Sequence, residues 1–312
     1  MKTSNRLHTI PVVMCLCLGL AGTALAEPGA PRVFIFGDSL SDAGNIHALT
    51  GETAKAPYAP IPSAPYAIGG HHFSNGRTWA EKLAQSLNDT NGGKPSREKP
   101  GQYGNYAHGG ARARVIAGSF VPSSSQQVDQ FLADFHGAPP DALYVIQFGG
   151  NDLRDALVAG ATNPSAVDQI LTAAIGELMV SINRLYAGGA RRFLVASVPS
   201  IEHAPVVRLS GASSIAAFLV GVFNGHLEGM LQWQELVLPE IDIRRLDMAD
   251  FVNDVVADPA AFGISNVLAP CLSFLVEADA KCSDPDQYLF WDGLHPTKVV
   301  HAALANRALI VL

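Results

Sequence analysis

Charge is scarce in this chain. Only 16% of its 312 residues are Asp, Glu, Lys or Arg, against roughly 25% in an average soluble protein. Since 48% are hydrophobic, a disordered chain, which needs the opposite balance, is excluded. The net charge is −7 and no basic run occurs, so a nucleic-acid partner is not expected. Four cysteines are too few for a disulfide scaffold at this length. No His-Glu-x-x-His is present and the ten histidines show no ligand spacing, so no metal site is expected. No Gly-x-Gly-x-x-Gly opens a helix after the first strand, and no cofactor is expected. Glycine (29) and proline (20) are instead plentiful, which suits long loops around a sizeable core.

The N-terminus reads as a secretory signal. Lys2 and Arg6 precede an apolar run from Ile10 to about Ala21, and Ala24-Leu25-Ala26 offers small residues at a cleavage site. The run is short for a membrane span. Residues 1–26 are therefore set aside, with cleavage after Ala26, and a single domain is expected over 27–312. The product would be secreted or periplasmic. Only Cys271 and Cys282 survive cleavage. In an oxidising compartment the two are expected to pair, closing a short loop worth about 3 kcal/mol by loop entropy.

Strand and helix patterns alternate along the rest. Apolar runs at 32–36 and 142–148 read as buried strands, and 192–198 and 241–246 are further strand candidates. Helices are expected over 78–87, 164–186, about 213–236 and from Pro296 to the C-terminus, the last with proline in its first turn. A Pro- and Gly-rich loop spans about 51–76, with His71-His72 read as a solvated pair. This order predicts an α/β fold, a parallel sheet covered on both faces in a three-layer α/β/α sandwich. In such sheets the site lies beyond the carboxyl ends of the strands.

Four blocks sit in those places. Gly37-Asp38-Ser39-Leu40-Ser41-Asp42 follows the first strand and can hold a serine oxygen at the sheet's rim. Phe290-Trp291-Asp292-Gly293-Leu294-His295-Pro296 sets an Asp and a His three apart, so that the carboxylate can fix the imidazole tautomer. Gly149-Gly150-Asn151-Asp152 offers a side-chain amide, and Asn105-Tyr106-Ala107-His108-Gly109-Gly110-Ala111 a glycine amide, for a developing oxyanion. Read singly, each block also fits a plain turn or a helix cap. Together they supply a nucleophile, a base, an orienting acid and oxyanion donors.

The four blocks, in this order and with Phe73-Ser-Asn-Gly-Arg-Thr-Trp79 between them, resemble the GDSL esterases and lipases, or SGNH hydrolases. The resemblance implies a flavodoxin-like five-stranded parallel sheet. It also implies Ser39 as nucleophile, His295 as general base and then acid, and Asp292 as its partner. The Ser39 and Gly110 amides and the Asn151 side chain would form the oxyanion hole, each donor worth around 3 kcal/mol in comparable enzymes. The Gly-x-Ser-x-Gly elbow of α/β-hydrolases is absent. Phe73, Tyr106, Phe148 and Trp291 stand in or beside the blocks and are candidates for a substrate pocket, with core packing as the other reading.

The expected reaction is hydrolysis of a carboxylic ester, of lipid or phospholipid type, through an acyl-enzyme on Ser39, with transient contact to membrane lipid. Acyl transfer to an alcohol such as cholesterol uses the same intermediate, and choline esters or acetylated sugars are further substrates of this chemistry. A surface-binding protein without turnover would not call for the whole constellation. The chain runs only from His295 to Leu312 beyond the last block, so the C-terminal membrane barrel of some members is not expected.

Overall fold

The computed structural model describes residues 32–50, 71–272 and 282–312. The leader at 1–26, its cleavage site and most of the 51–76 loop lie outside the described residues.

Four strands form the main sheet: β1 (Val33–Gly37), β2 (Leu143–Gln147), β3 (Arg192–Ala196) and β4 (Asp242–Leu246), in the order β1-β2-β3-β4 and all parallel. Their alternation is strict. Val33, Ile35, Leu143, Val145, Leu194, Ala196 and Leu246 face one layer, and Phe34, Phe36, Tyr144, Ile146, Phe193, Val195 and Ile243 the other. In β1 and β2 both faces are apolar because both are covered, which is why these runs look continuous in sequence, whereas the edge strand β4 carries Asp242, Arg244 and Arg245.

Helices α1 (Asn45–Thr50), α2 (Trp79–Ser86), α3 (Ser124–Phe135), α4 (Gly150–Gly160), α5 (Ser165–Ala187), α6 (Pro205–Leu209), α7 (Ser213–Val237), α8 (Met248–Ala257) and α9 (Lys298–Val311) follow in order. Buried side chains of α3, α4, α5 and α7 pack on one face of the sheet. Those of α2, α8 and α9 pack on the other. The α/β/α sandwich expected from the sequence is the fold.

The sheet differs from the expected five strands. Among the described residues it has four, and residues 104–108 run along the free edge of β1. Ile35 N donates to Gly104 O at 2.9 Å, Tyr106 N to Ile35 O at 2.7 Å and His108 N to Gly37 O at 3.1 Å. Asn105 is also engaged from its other side, its N–H donating to Lys94 O at 3.0 Å and its carbonyl accepting from Ser96 N at 2.8 Å. The segment stays irregular for that reason, yet it occupies the edge position of a 2-1-3-4-5 order.

Two further strands, β5 (Asn266–Pro270) and β6 (Tyr288–Phe290), pair in parallel as a small separate sheet. Neither is apparent from periodicity, being short and, in β5, half-exposed. The last helix begins at Lys298 behind Thr297, so Pro296 stands before the cap rather than in the first turn. Helix α2 starts behind a Thr78–Glu81 capping box and α3 behind a Ser123–Gln126 one.

Register sets where the chemistry lies. Gly37, Gln147, Ala196 and Leu246 are paired in sequence across the sheet. The strands therefore end at one level, and the loops that follow them open at the same edge.

Candidate active site

The loop after β1 is clamped from several sides. Gln127 grips Gly37, donating from Nε2 to its carbonyl at 2.9 Å and accepting from its amide at 3.0 Å. A side chain at Gly37 would put Cβ 2.8 Å from the Gln147 carbonyl oxygen. Asp38 accepts from the Leu40 amide at 3.0 Å and from Gln147 Nε2 at 3.2 Å. Burial pushes its carboxyl up to about 6. Ser41 Oγ donates to Gln147 Oε1 and accepts from Trp79 Nε1. Ser39 is left at the bend, half-buried, with its hydroxyl turned to His295.

The acid and base arrive together. Strand β6 delivers Asp292 and His295 on one loop, and His295 Nδ1 lies 2.8 Å from Asp292 Oδ2. The other carboxylate oxygen accepts from the Leu294 and His295 amides, both at 2.7 Å. Burial opposes ionisation of Asp292, but the imidazole beside it and these amides hold the carboxyl below its ordinary range. His295 Nε2 is 2.9 Å from Ser39 Oγ. With Nδ1–H committed to the carboxylate, Nε2 is the acceptor that a serine hydroxyl requires.

The remaining candidates are held next to this pair. Asn151, in the first turn of α4, donates one Nδ2–H to the Ala111 carbonyl at 3.0 Å, which leaves the second amide hydrogen for another acceptor. Gly110 has φ +76°, a conformation that disfavours a side chain. Gly109 has no room for one, since its Cβ would lie 2.2 Å from the Phe73 ring. The Gly109 amide donates to Asp42 Oδ2 at 2.7 Å. Asp42 accepts also from the amides of Gly44, Asn45 and Ile46. Asn45 in turn donates to the Asn105 and Ala107 carbonyls, both at 2.8 Å. The sequence reading did not single out Gln127, Gln147, Asp42 or Asn45 as functional. Asp42 closes the first block and Asn45 follows it by three positions; the two glutamines carry no motif.

Ser39, Gly110, Asn151 and His295 line a cavity of about 490 Å³. Away from them its wall is mostly apolar, with Leu157, Ile201, Met248, Phe251, Leu289 and Leu304 among its residues. Of the four aromatic candidates only Phe73 lines it. Tyr106 and Phe148 are packed in the core beneath the sheet, and Trp291 is buried with Ile46, Phe73 and Leu272. Tyr106 donates its hydroxyl to Asp134 at 2.7 Å, and this bond, with burial, raises its pKa. Their large apolar area goes to packing, and α4, α8 and α9 supply Leu157, Met248, Phe251 and Leu304 to the cavity wall.

Two other expectations on local residues change or gain detail. His72 is not solvated. It is buried, with Nε2 2.7 Å from Glu81 Oε2, while His71 stacks near His47 with ring centroids 3.9 Å apart. Cys271 and Cys282 form a disulfide. The amides of Cys271 and Leu272 donate to the carbonyls of Phe290 and Trp291 at 2.9 and 2.7 Å, which fastens the bridge to the strand leading into Asp292. Among the described residues no group of three or more His, Cys, Asp or Glu is placed to hold a metal ion.

The family model of the GDSL-like lipases and acylhydrolases matches residues 33–308, from the first strand into the last helix. The chain belongs to this family. It is accordingly a carboxylic ester hydrolase. One GDSL esterase/lipase of Arabidopsis thaliana is 26% identical over 350 residues, covering 99% of this chain and 94% of that protein. Another from the same plant is 29% identical over 327 residues, covering 89% and 81%. Among solved structures, an extracellular lipase from Streptomyces rimosus is similar at a TM-score of 0.44 and 14% identity, covering 89% of this chain and all of that one.

Proposed function

We propose that Ser39 carries the reaction through an acyl-enzyme and that the acyl group is an apolar, lipid-type chain. His295 takes the hydroxyl proton as Ser39 Oγ attacks the ester carbonyl. The tetrahedral oxyanion is met by the Ser39 and Gly110 amides and the free Nδ2–H of Asn151. His295 then returns the proton to the leaving alcohol, and a water repeats the sequence to release the acid. The observation that carries the reading is the Ser39–His295–Asp292 relay, at 2.9 and 2.8 Å, on the wall of an apolar cavity of about 490 Å³. Most of that wall is apolar, and each buried methylene of an alkyl chain gains about 0.8 kcal/mol.

The test is labelling by a fluorophosphonate, followed by turnover of p-nitrophenyl esters of rising chain length, with and without an alcohol acceptor. We expect one labelled site, lost in Ser39→Ala, and kcat/KM that rises with chain length. An unlabelled wild type, or full turnover by Ser39→Ala, overturns the acyl-enzyme. A preference for acetyl over longer chains overturns the lipid-type acyl group.

We further propose that residues 1–26 are a cleaved leader, that 27–312 is one catalytic domain, and that the enzyme works in the periplasm or outside the cell. The Cys271–Cys282 disulfide supports this compartment. N-terminal sequencing of the exported protein should start at Glu27.

A further inference from the structure

Two arginines flank the candidate oxyanion donors, and the ester-hydrolysis scheme uses neither. Arg154 follows Asn151 by three positions on α4, so both side chains leave the same helix face, and both line the cavity. Arg112 follows Gly110 by two positions, lines the same cavity and donates from Nη1 to the Gly110 carbonyl at 2.8 Å.

Arg154 is the least engaged of three neighbouring guanidiniums. Asp155 accepts from Arg112 at both oxygens, at 3.0 and 2.9 Å, and from Arg114 at 2.7 Å. Arg114 also takes Asp152 Oδ1 at 2.7 Å. Arg154 reaches the same Asp155 only at 3.8 Å, with its side chain 48% exposed. Asp155 and Asp152 are thus taken up by the other two arginines, and Asp38, the third carboxylate near Arg154, is itself held by Leu40 and Gln147. Arg154 therefore has no ion pair shorter than 3.8 Å among the described residues, on the wall of a mostly apolar cavity. A guanidinium held only by a long, half-exposed ion pair contributes little to stability, but it presents a planar fork of donors suited to a phosphate or carboxylate.

We propose that Arg154, with Arg112 beside it, binds an anionic group on the alcohol portion of the substrate, so that the preferred esters join an apolar acyl chain to an anion-bearing alcohol. The inference rests on the acyl-ester reading above. The acyl chain takes the apolar wall, and the charged group stays at the half-exposed guanidinium, on the part of the ester that remains in contact with water. The ligand chemistry is a monoanion, either the phosphodiester of a lysophospholipid or a carboxylate.

The experiment compares kcat/KM for a short-chain lysophosphatidylcholine, a monoacylglycerate and a monoacylglycerol, all with the same acyl group and all monomeric. In Arg154→Gln the ratio of anionic to neutral ester should fall about tenfold, chiefly through KM, and Arg154→Lys should retain most of it. A fall with the phosphodiester alone names phosphate as the ligand; a fall with both names any monoanion. A ratio that moves less than twofold, or equal losses on anionic and neutral esters, overturns the proposal. Turnover by the wild type of a p-nitrophenyl ester with the same acyl group separates the two readings, since its absence would count against the hydrolase itself and not against Arg154.

Discussion

Asp42 Oδ2 accepts a 2.7 Å hydrogen bond from the Gly109 amide and thereby joins the loop that carries Ser39 to the loop that carries Gly110. The same carboxylate holds the amides that open α1. One buried side chain thus sets the spacing between nucleophile and candidate oxyanion donor. Asp42→Asn puts an N–H against the Gly109 N–H and leaves it unsatisfied. Stability should fall by about 2 kcal/mol, and kcat on a short p-nitrophenyl ester by about tenfold to a hundredfold, with little change in KM. Urea unfolding and steady-state kinetics on one preparation check both.

Asn151 has one amide hydrogen fixed on Ala111 and one to offer. Asn151→Ala should lower kcat by about 10²–10³, the loss of one oxyanion donor. Labelling by fluorophosphonate should slow in proportion while circular dichroism stays the same. A kcat within threefold of wild type would remove Asn151 from the oxyanion hole.

His301 gives a pH dependence of stability. Its Nδ1 accepts from the Trp79 amide at 3.2 Å. Burial first, then the nearby His295, His72 and Lys82, hold its pKa down to about 3, against 6.5 ordinarily. Below pH 6.5 the unfolded chain takes up a proton that the native one refuses until about pH 3, so stability is lost as pH falls through that window. His301→Gln keeps an acceptor and removes the titration. Between pH 6 and 4 the variant should gain on the wild type by roughly 1 kcal/mol per pH unit, read from urea midpoints. Parallel curves would refute the assignment.

The Cys271–Cys282 bridge closes a loop of sequence separation 11. Cys271→Ser with Cys282→Ser should cost about 3 kcal/mol. Because Leu272 N is bonded to Trp291 O, kcat should fall as well. Thermal unfolding and kinetics with and without a reductant that breaks the bridge test this, and unchanged values in both would show that the bridge leaves the Asp292 loop untouched.

The sheet was legible because its strands are buried on both faces, so Val33 to Phe36 and Leu143 to Ile146 read as unbroken apolar runs. The candidate site residues Ser39, Asp292 and His295 stand out in sequence because each occupies a short block after a strand, where residue type and spacing are dictated locally. What escaped depends on distant partners. Gln127 acts on Gly37 across 90 positions and Gln147 on Asp38 across 109, and nothing local marks them. His72 looked solvated beside His71 because Glu81, its partner, lies beyond a turn and a helix cap. For Tyr106, Phe148 and Trp291 the core-packing reading is the one the structure shows: neighbouring the blocks, they face away from the cavity into the core. The fifth strand is blurred because Asn105 bonds on both sides.

Asp292 and His295 are three residues apart, whereas His295 and Ser39 are separated by 256 positions. The acid–base pair can form as soon as its own loop closes, but it is inert until α9 seats against α2 and brings that loop to the first strand. The return of ester turnover thus reports this long-range contact. In refolding, ester turnover should return with the burial of Trp79, which α9 covers through His301, and lag behind the helical signal of α5 and α7. A chain halted short of that event would keep most of its secondary structure and none of its chemistry.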